Sequence, residues 1–257
     1  MSNIAKVRSM IKCDTIPDRF VIIGAGGIGS IVSRYLPILL SCSENMPEIV
    51  ICDGDSFEPG NTYRMEVPDY ANKADAIAMV IEEMGQPCVP ISFPSHFTEE
   101  NSSEVFGDGC VVFMCVDNHK TRCIVNEYAN TLDNVVLISG GNDGIDEKNG
   151  EQGIMGNIQV MVRSDGEVVH GCPLDQFHDE IANPQDKHPG ELSCQELAEA
   201  GVAQLVLANM TAATLMLNAY FRLLWTDDGI YDEAIFDIVE NKVVPQWLTS
   251  RNQRKAR

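Results

Sequence analysis

The sequence predicts an α/β fold, a doubly wound and mostly parallel sheet finished by antiparallel strands. Three observations predict it. Short unbroken runs of branched and aromatic residues alternate with helically periodic stretches, as doubly buried strands and their crossover helices do. One run, Phe20 to Ile23, passes through Gly24, Gly26 and Gly29 into a periodic apolar helix carrying Ile31, Tyr35 and Leu39. The last two strand-like runs, 234–238 and 242–245, are parted only by a turn at Glu240-Asn241 and read as a hairpin.

The elements come in order within a single expected domain, 1–257. Residues 1–18 form an arm ahead of the first strand. The glycine turn is tight, and a Cβ there would hold the backbone away from a phosphate, while the next helix offers free N–H groups and its positive end. Ile49 to Cys52 is the second strand, ending on Asp53, where a carboxylate can accept from a ribose hydroxyl. A polar loop, 54–72, leads to a helix over 73–84 (Ala76, Ile77, Val80, Ile81, Met84) and a third strand over 89–93. Val111 to Cys115 is a fourth buried strand, running out on Val116-Asp117-Asn118. A helix over 120–131 and a strand over 135–139 come next. The stretch 141–156 is glycine-rich and charged and reads as a loop, as does 175–192, whose prolines, histidines and acids lack a period and suit a segment that closes over a ligand. A strand over 156–163 lies between them. A long helix over 196–225, interrupted near Gly201, precedes the hairpin and a basic tail, 249–257.

Composition narrows the function. A net charge of −20 repels a phosphate backbone, which excludes extended nucleic-acid contact and suits a partner with a basic face. The nine cysteines include no C-x-x-C pair, so neither a disulfide framework nor a four-cysteine zinc site is expected, and the five histidines lack metal spacing. His170 and Cys172 are close but want two further ligands. With no signal peptide and no membrane-length apolar run, a cytoplasmic, reduced protein is expected.

The glycine motif alone serves NAD, FAD, S-adenosylmethionine or ATP. The polar residues beyond Asp53 choose among them: Asp55, Asn61 and Arg64, then Lys73 at the head of a helix, then Asp117 at a strand end. In a doubly wound sheet these gather at the carboxyl edge, where ligands bind. A nicotinamide dehydrogenase needs no such convergence, whereas a triphosphate does. Arg64 and Lys73 can neutralise phosphates and Asp117 can hold Mg²⁺. Asp117 can equally cap the helix next to it, and Arg122 is as well placed for a structural ion pair as for a ligand.

With VIIGAGGIGS, the run DGDSFEPGNTYR, the helix-opening Lys73, VDNHKTR and SCQELAEAGV, the chain resembles the ThiF/MoeB/HesA superfamily, the Rossmann-like adenylating core shared with ubiquitin-activating enzymes. The resemblance runs from Phe20 to Val202; the remainder is most similar to ThiF-type proteins of bacterial operons that also encode a ubiquitin-like protein. It implies that Gly24, Gly26, Gly27 and Gly29 line the phosphates and that Asp53 takes the ribose. It further implies that Asn61, Arg64 and Lys73 bind the triphosphate and Asp117 the Mg²⁺. The implied reaction is attack of a partner's C-terminal glycine carboxylate on the α-phosphorus of ATP, giving acyl-adenylate and pyrophosphate. The implied assembly is a homodimer that binds a small ubiquitin-like protein, with a downstream conjugating protein as a further partner. Two other classes stay open beside it: a NAD-dependent oxidoreductase, and a silent ThiF-like binding scaffold.

The chain departs from the family in places. Paired C-x-x-C zinc motifs are missing, so no zinc is expected. Arg8 is the candidate for the N-terminal arginine that relatives lend to the neighbouring subunit, although its spacing to the glycine turn is short. Cys194, in the loop before the long helix, is the well-placed thiol for a thioester, its pKa lowered by a helix start; an inert buried cysteine is the competing reading.

Overall fold

The computed structural model describes residues 16–43, 45–58, 61, 72–146, 150–176, 178–191, 204–226 and 228–247. Arg8, Arg64 and Cys194 lie outside them, as do most of the arm, the basic tail and the first turns of the expected 196–225 helix.

Strands β1 (Arg19–Ile23), β2 (Glu48–Cys52), β3 (Val89–Phe93), β4 (Cys110–Met114) and β5 (Val135–Asn142) are joined by the helices α1 (Gly27–Leu40), α2 (Lys73–Glu83), α3 (Ser102–Val105) and α4 (His119–Thr131). A two-residue ladder, β6 (Ile145–Asp146) with β7 (Glu151–Gln152), precedes β8 (Met155–Ser164) and β9 (Glu167–Gly171). Helix α5 (Asp179–Ala182) leads to the long α6 (Val206–Trp225), and β10 (Glu233–Asp237) with β11 (Lys242–Gln246) ends the order. The main sheet runs β11-β10-β8-β5-β4-β1-β2-β3, with β9 beside β8. Pairings from β3 through β5 are parallel, and β8, β9, β10 and β11 join antiparallel.

Both faces are covered, which is why the strands read as continuous apolar runs. Phe20 and Ile22 enter one core with α1, α2 and α6; Val21 and Ile23 enter the other with α4. β1 sits between β2 and β4, so its carboxyl end, the glycine turn, falls where the chain winds off in both directions.

Two expectations change. The fifth strand does not stop at Ser139 but continues to Asn142, because Gly140 and Gly141 pair with Ile158 and Asn157 of β8. Gly141 has no Cβ, and one would lie 2.4 Å from an Arg122 amine. The expected 175–192 loop carries α5 and two short 3-10 turns, and β9 has too brief an alternation to be seen. Of the expected 196–225 helix, the described part is α6, which begins at Val206 after an extended Leu205, and its expected start near 196 lies outside the described residues. Among the described residues no helix is long and apolar enough to cross a membrane.

Candidate nucleotide site

The glycine turn is built by close backbone approach. Gly24 has φ +89°, and its N–H donates to the Cys52 carbonyl, tying the turn to the end of β2. A Cβ on Gly29 would lie 1.8 Å from the Gly24 carbonyl oxygen, so helix and turn fit only with glycine there. Gly26 differs, since a Cβ on it would meet nothing within 4 Å. Packing explains Gly24 and Gly29. It leaves Gly26 facing open space, where a ligand would approach.

Asp53 clamps this turn. Its Oδ2 accepts the Ala25 N–H at 2.6 Å and its Oδ1 the Asp55 N–H at 2.8 Å. Burial pushes its carboxyl above the usual range, against the opposing pull of Lys73 and the two N–H groups. The same burial, with Asp53 alongside, lifts the Cys52 thiol to about 12, so that cysteine is an inert core residue. Asn72, unremarked in the sequence, closes the loop: its Nδ2 donates to the Asp53 carbonyl at 3.0 Å while its Oδ1 caps α2 at Ala74 and Asp75. An asparagine just before a helical run was the available signal.

Lys73 is nearly buried, and its ammonium is held by Asp55 at 2.8 Å. One of its three donors is thus engaged on the rim of the turn. His96 brings its Nε2 to 3.7 Å from the other Asp55 oxygen, and its ring covers Gly54, where a Cβ would meet it at 2.6 Å. Asn61 is buried and makes a local turn with Glu58, accepting its N–H at 3.1 Å.

Asp117 is exposed at the end of β4. It does not cap α4. That role belongs to Asn118, whose Oδ1 accepts the Thr121 N–H at 2.8 Å. Asp117 therefore stays available to a cation. Arg122, weighed above as a structural ion pair or a ligand, is buried, and its guanidinium donates to the carbonyls of Val116 at 3.0 Å and Gly140 at 3.2 Å, bracing β4 against β5. Burial lowers its pKa, and Asp117 leads the charges that oppose this.

A residue that sequence spacing could not have found completes the edge. Asp186 accepts N–H bonds from His119 at 2.7 Å and Lys120 at 3.0 Å, and from the Asn118 side chain at 2.7 Å. His188, buried beside it, bonds the Phe97 carbonyl at 2.8 Å and the Gly190 N–H at 3.1 Å. The 183–191 segment is thereby pinned along the site, next to a cavity of about 490 Å³ that His96, Lys120, Ile124, His188 and Glu191 help to line.

The consequence concerns helix ends. Helices α1, α2, α4 and α6 begin at this edge, and each start attracts anions. The start of α2 is filled by Asn72, and that of α4 by Asn118 and Asp186. The start of α1 has no side-chain cap and no acidic residue in its first turn. The start of α6 likewise has no side-chain cap and no acidic residue in its first turn, so the two uncapped helix starts, α1 and α6, meet at the glycine turn.

For Mg²⁺, one exposed strand-end carboxylate fits a cation that takes one or two protein oxygens and completes its shell with phosphate and water. No group of three His, Cys, Asp or Glu placed to hold a metal occurs among the described residues.

The sheet order and the glycine turn at the end of β1 together define a Rossmann-like α/β domain. The sequence profile of the ThiF family matches residues 14–230, and the chain belongs to that family. The adenylyltransferase and sulfurtransferase uba4 of Aspergillus clavatus is 27% identical over 115 residues, which is 43% of this chain and 22% of that protein. UBA4 of Candida glabrata is 25% identical over 127 residues, 48% of this chain and 28% of its own length. The match therefore spans less than a third of these relatives. Among solved structures, E. coli MccB with ATP superposes with a TM-score of 0.65 at 17% identity, covering 92% of this chain and 65% of MccB. PaaA superposes at 0.62 and 15% identity, over 91% of this chain and 64% of that one. These likenesses confirm the Rossmann-like sheet with its antiparallel end.

Proposed function

We propose that this protein is an ATP-dependent adenylyltransferase that activates the C-terminal carboxylate of a small ubiquitin-like or sulfur-carrier-like protein. The observation that carries the reading is the uncapped start of α1, with Asp53 clamped below it and Lys73 and Asp117 on its rim. A dehydrogenase has no need of that rim. Family membership and the adenylyltransferase names of the curated relatives support the same chemistry.

In this reading Gly24, Gly26, Gly27 and Gly29 shape the phosphate seat, and Asp53 and Asp55 face the ribose side. Asn61, Arg64 and Lys73 bind the triphosphate. The partner's carboxylate oxygen forms a bond to the α-phosphorus as the bond to the β-phosphate oxygen breaks, and pyrophosphate leaves with its charge met by Arg64 and Lys73. No general base is required, because the nucleophile is already ionised; the work is orientation and neutralisation. Asp117 would hold Mg²⁺, which when bound shields phosphate charge. Onward transfer to Cys194 rests on the sequence alone. Tyr35 and Ile38 on α1, with Leu207 and Met210 on α6, leave apolar surface exposed on two helices that pack together, which supports a homodimer. A cytoplasmic location is part of the same proposal.

ATP–pyrophosphate exchange with small β-grasp proteins encoded nearby tests the function. Exchange that depends on one such protein is the expected result; tight NAD binding with no ATP binding would contradict it.

A further inference from the structure

Helix α6 carries an oddity at its first turn. Asn209 is 0% exposed, and neither its Oδ1 nor its Nδ2 has a hydrogen-bond partner among the described residues. Its buried neighbours on the helix, Ala208, Ala212, Ala213 and Met216, are apolar members of the core between α1, α6 and the sheet. A leucine would fill the place without stranding a donor and an acceptor. The amide therefore weakens the nucleotide-free fold, and its presence calls for a state in which it is paired.

Its position says which state. The carboxamide lies against the first residue of α1: a Cβ on Gly27 would stand 2.2 Å from Nδ2 and 3.4 Å from Oδ1. Gly27 is thus glycine to admit Asn209, whereas Gly26, with nothing within 4 Å of its would-be Cβ, is the residue open to a ligand. The helix start that Asn209 touches, that of α1, has no side-chain cap, unlike those of α2 and α4. An orphaned buried amide and an uncapped helix start meet at one turn.

We propose that Asn209 is a positioning residue for the phosphate seat. When phosphates dock on the start of α1, the peptides of Gly26–Ile28 shift to meet the anion while Asp53 keeps the Ala25 N–H, and the Asn209 carboxamide takes up the hydrogen bonds with this turn that the nucleotide-free form leaves unmade. The amide does not touch the ligand. It stabilises the bound conformation of the backbone that does, and so contributes to affinity for phosphate rather than for nucleoside. This rests on the ATP reading given above.

Calorimetry on the full chain with ATP plus Mg²⁺, and separately with adenosine, tests it in the parent protein and in Asn209→Leu. The expected result is ATP affinity at least tenfold weaker in the variant, adenosine affinity within twofold of the parent, and a nucleotide-free Tm equal to or above the parent's. ATP affinity within twofold of the parent overturns the proposal, and so does an equal loss for both ligands, which means a packing defect. Should the variant fail to fold, hydrogen exchange of the Asn209 side-chain NH₂ in the unmodified protein decides: slower exchange with ATP but not adenosine supports the proposal, and unchanged exchange overturns it. A parent that binds no ATP at all removes the nucleotide reading itself, a failure visible before any variant is made.

Discussion

Gly26 and Gly29 sit three residues apart in one motif and do different jobs. At Gly29 a methyl group would run into the Gly24 carbonyl, which is backbone and cannot swing aside. Gly29→Ala should cost about 1–3 kcal/mol or more of stability, read as a lower denaturation midpoint. At Gly26 the space is open, so Gly26→Ala should leave the midpoint within about 0.5 kcal/mol, since substitutions that create no clash or cavity fall in that range. The same substitution should weaken ATP binding by tenfold or more. A stable Gly26→Ala protein with parental ATP affinity would show that phosphates do not approach that face. The motif marked the turn in the sequence, but which glycine serves packing and which serves a ligand depends on what each would-be Cβ meets. Asn209 and Asp186 escaped the sequence for a related reason, and so did the bond from Asn72 to Asp53. Their partners lie at Gly27, at His119 and Lys120, and at Asp53, and no local pattern encodes such pairings.

At the scale of elements, α5 and the segment after it are held by a clasp. His178 at the start of α5 bonds Glu180 through Nδ1 and Glu233 of β10 through Nε2, both at 3.0 Å, and Asn157 of β8 donates to the same Glu233 oxygen at 2.7 Å. The Glu233 bond is the main cause of a raised His178 pKa, with burial opposing it. Burial opposes ionisation of Glu233 in turn, but the bonds from His178 and Asn157 outweigh it and its pKa falls. The signs fix the window. The histidine contribution is fully present below its unfolded value near 6.5 and is lost as pH rises through the higher folded value. The glutamate contribution is present above its unfolded value near 4.5 and is lost as pH falls through the lower folded one. Thermal melts of the parent should therefore show a stability step lost on going from about pH 6 to pH 9 that His178→Gln lacks; identical pH profiles would contradict the clasp. The sequence reading of 175–192 as a closing loop missed this anchoring, because a histidine 55 residues from its carboxylate partner leaves no trace in spacing. The centre of the parallel half of the sheet was legible, since β1, β2 and β4 are built on uninterrupted apolar runs.

For the whole molecule, the exposed apolar side chains of α1 and α6 and the position of Cys194 each carry a prediction. Light scattering at micromolar concentration should give twice the chain mass; a monomer with full activity would remove the dimer from the account. With a β-grasp partner, ATP and Mg²⁺, the protein should form a thiol-sensitive covalent adduct that Cys194→Ala abolishes while pyrophosphate exchange persists. An adduct that survives that substitution would assign the nucleophile elsewhere.

The central claim is that the carboxyl edge around Gly26, Lys73 and Asp117 adenylates a partner's C-terminus. Its most direct measurement is ATP–pyrophosphate exchange in parent and Asp117→Ala proteins, read beside their melting temperatures. Asp117 is exposed and caps no helix, so its loss should leave the fold intact. Losing its hold on the metal should lower exchange roughly a thousandfold or more, corresponding to about 4 kcal/mol of transition-state stabilisation. Partner-dependent exchange in the parent, lost in Asp117→Ala at an unchanged melting temperature, is the predicted result. Exchange in the variant within tenfold of the parent would contradict it.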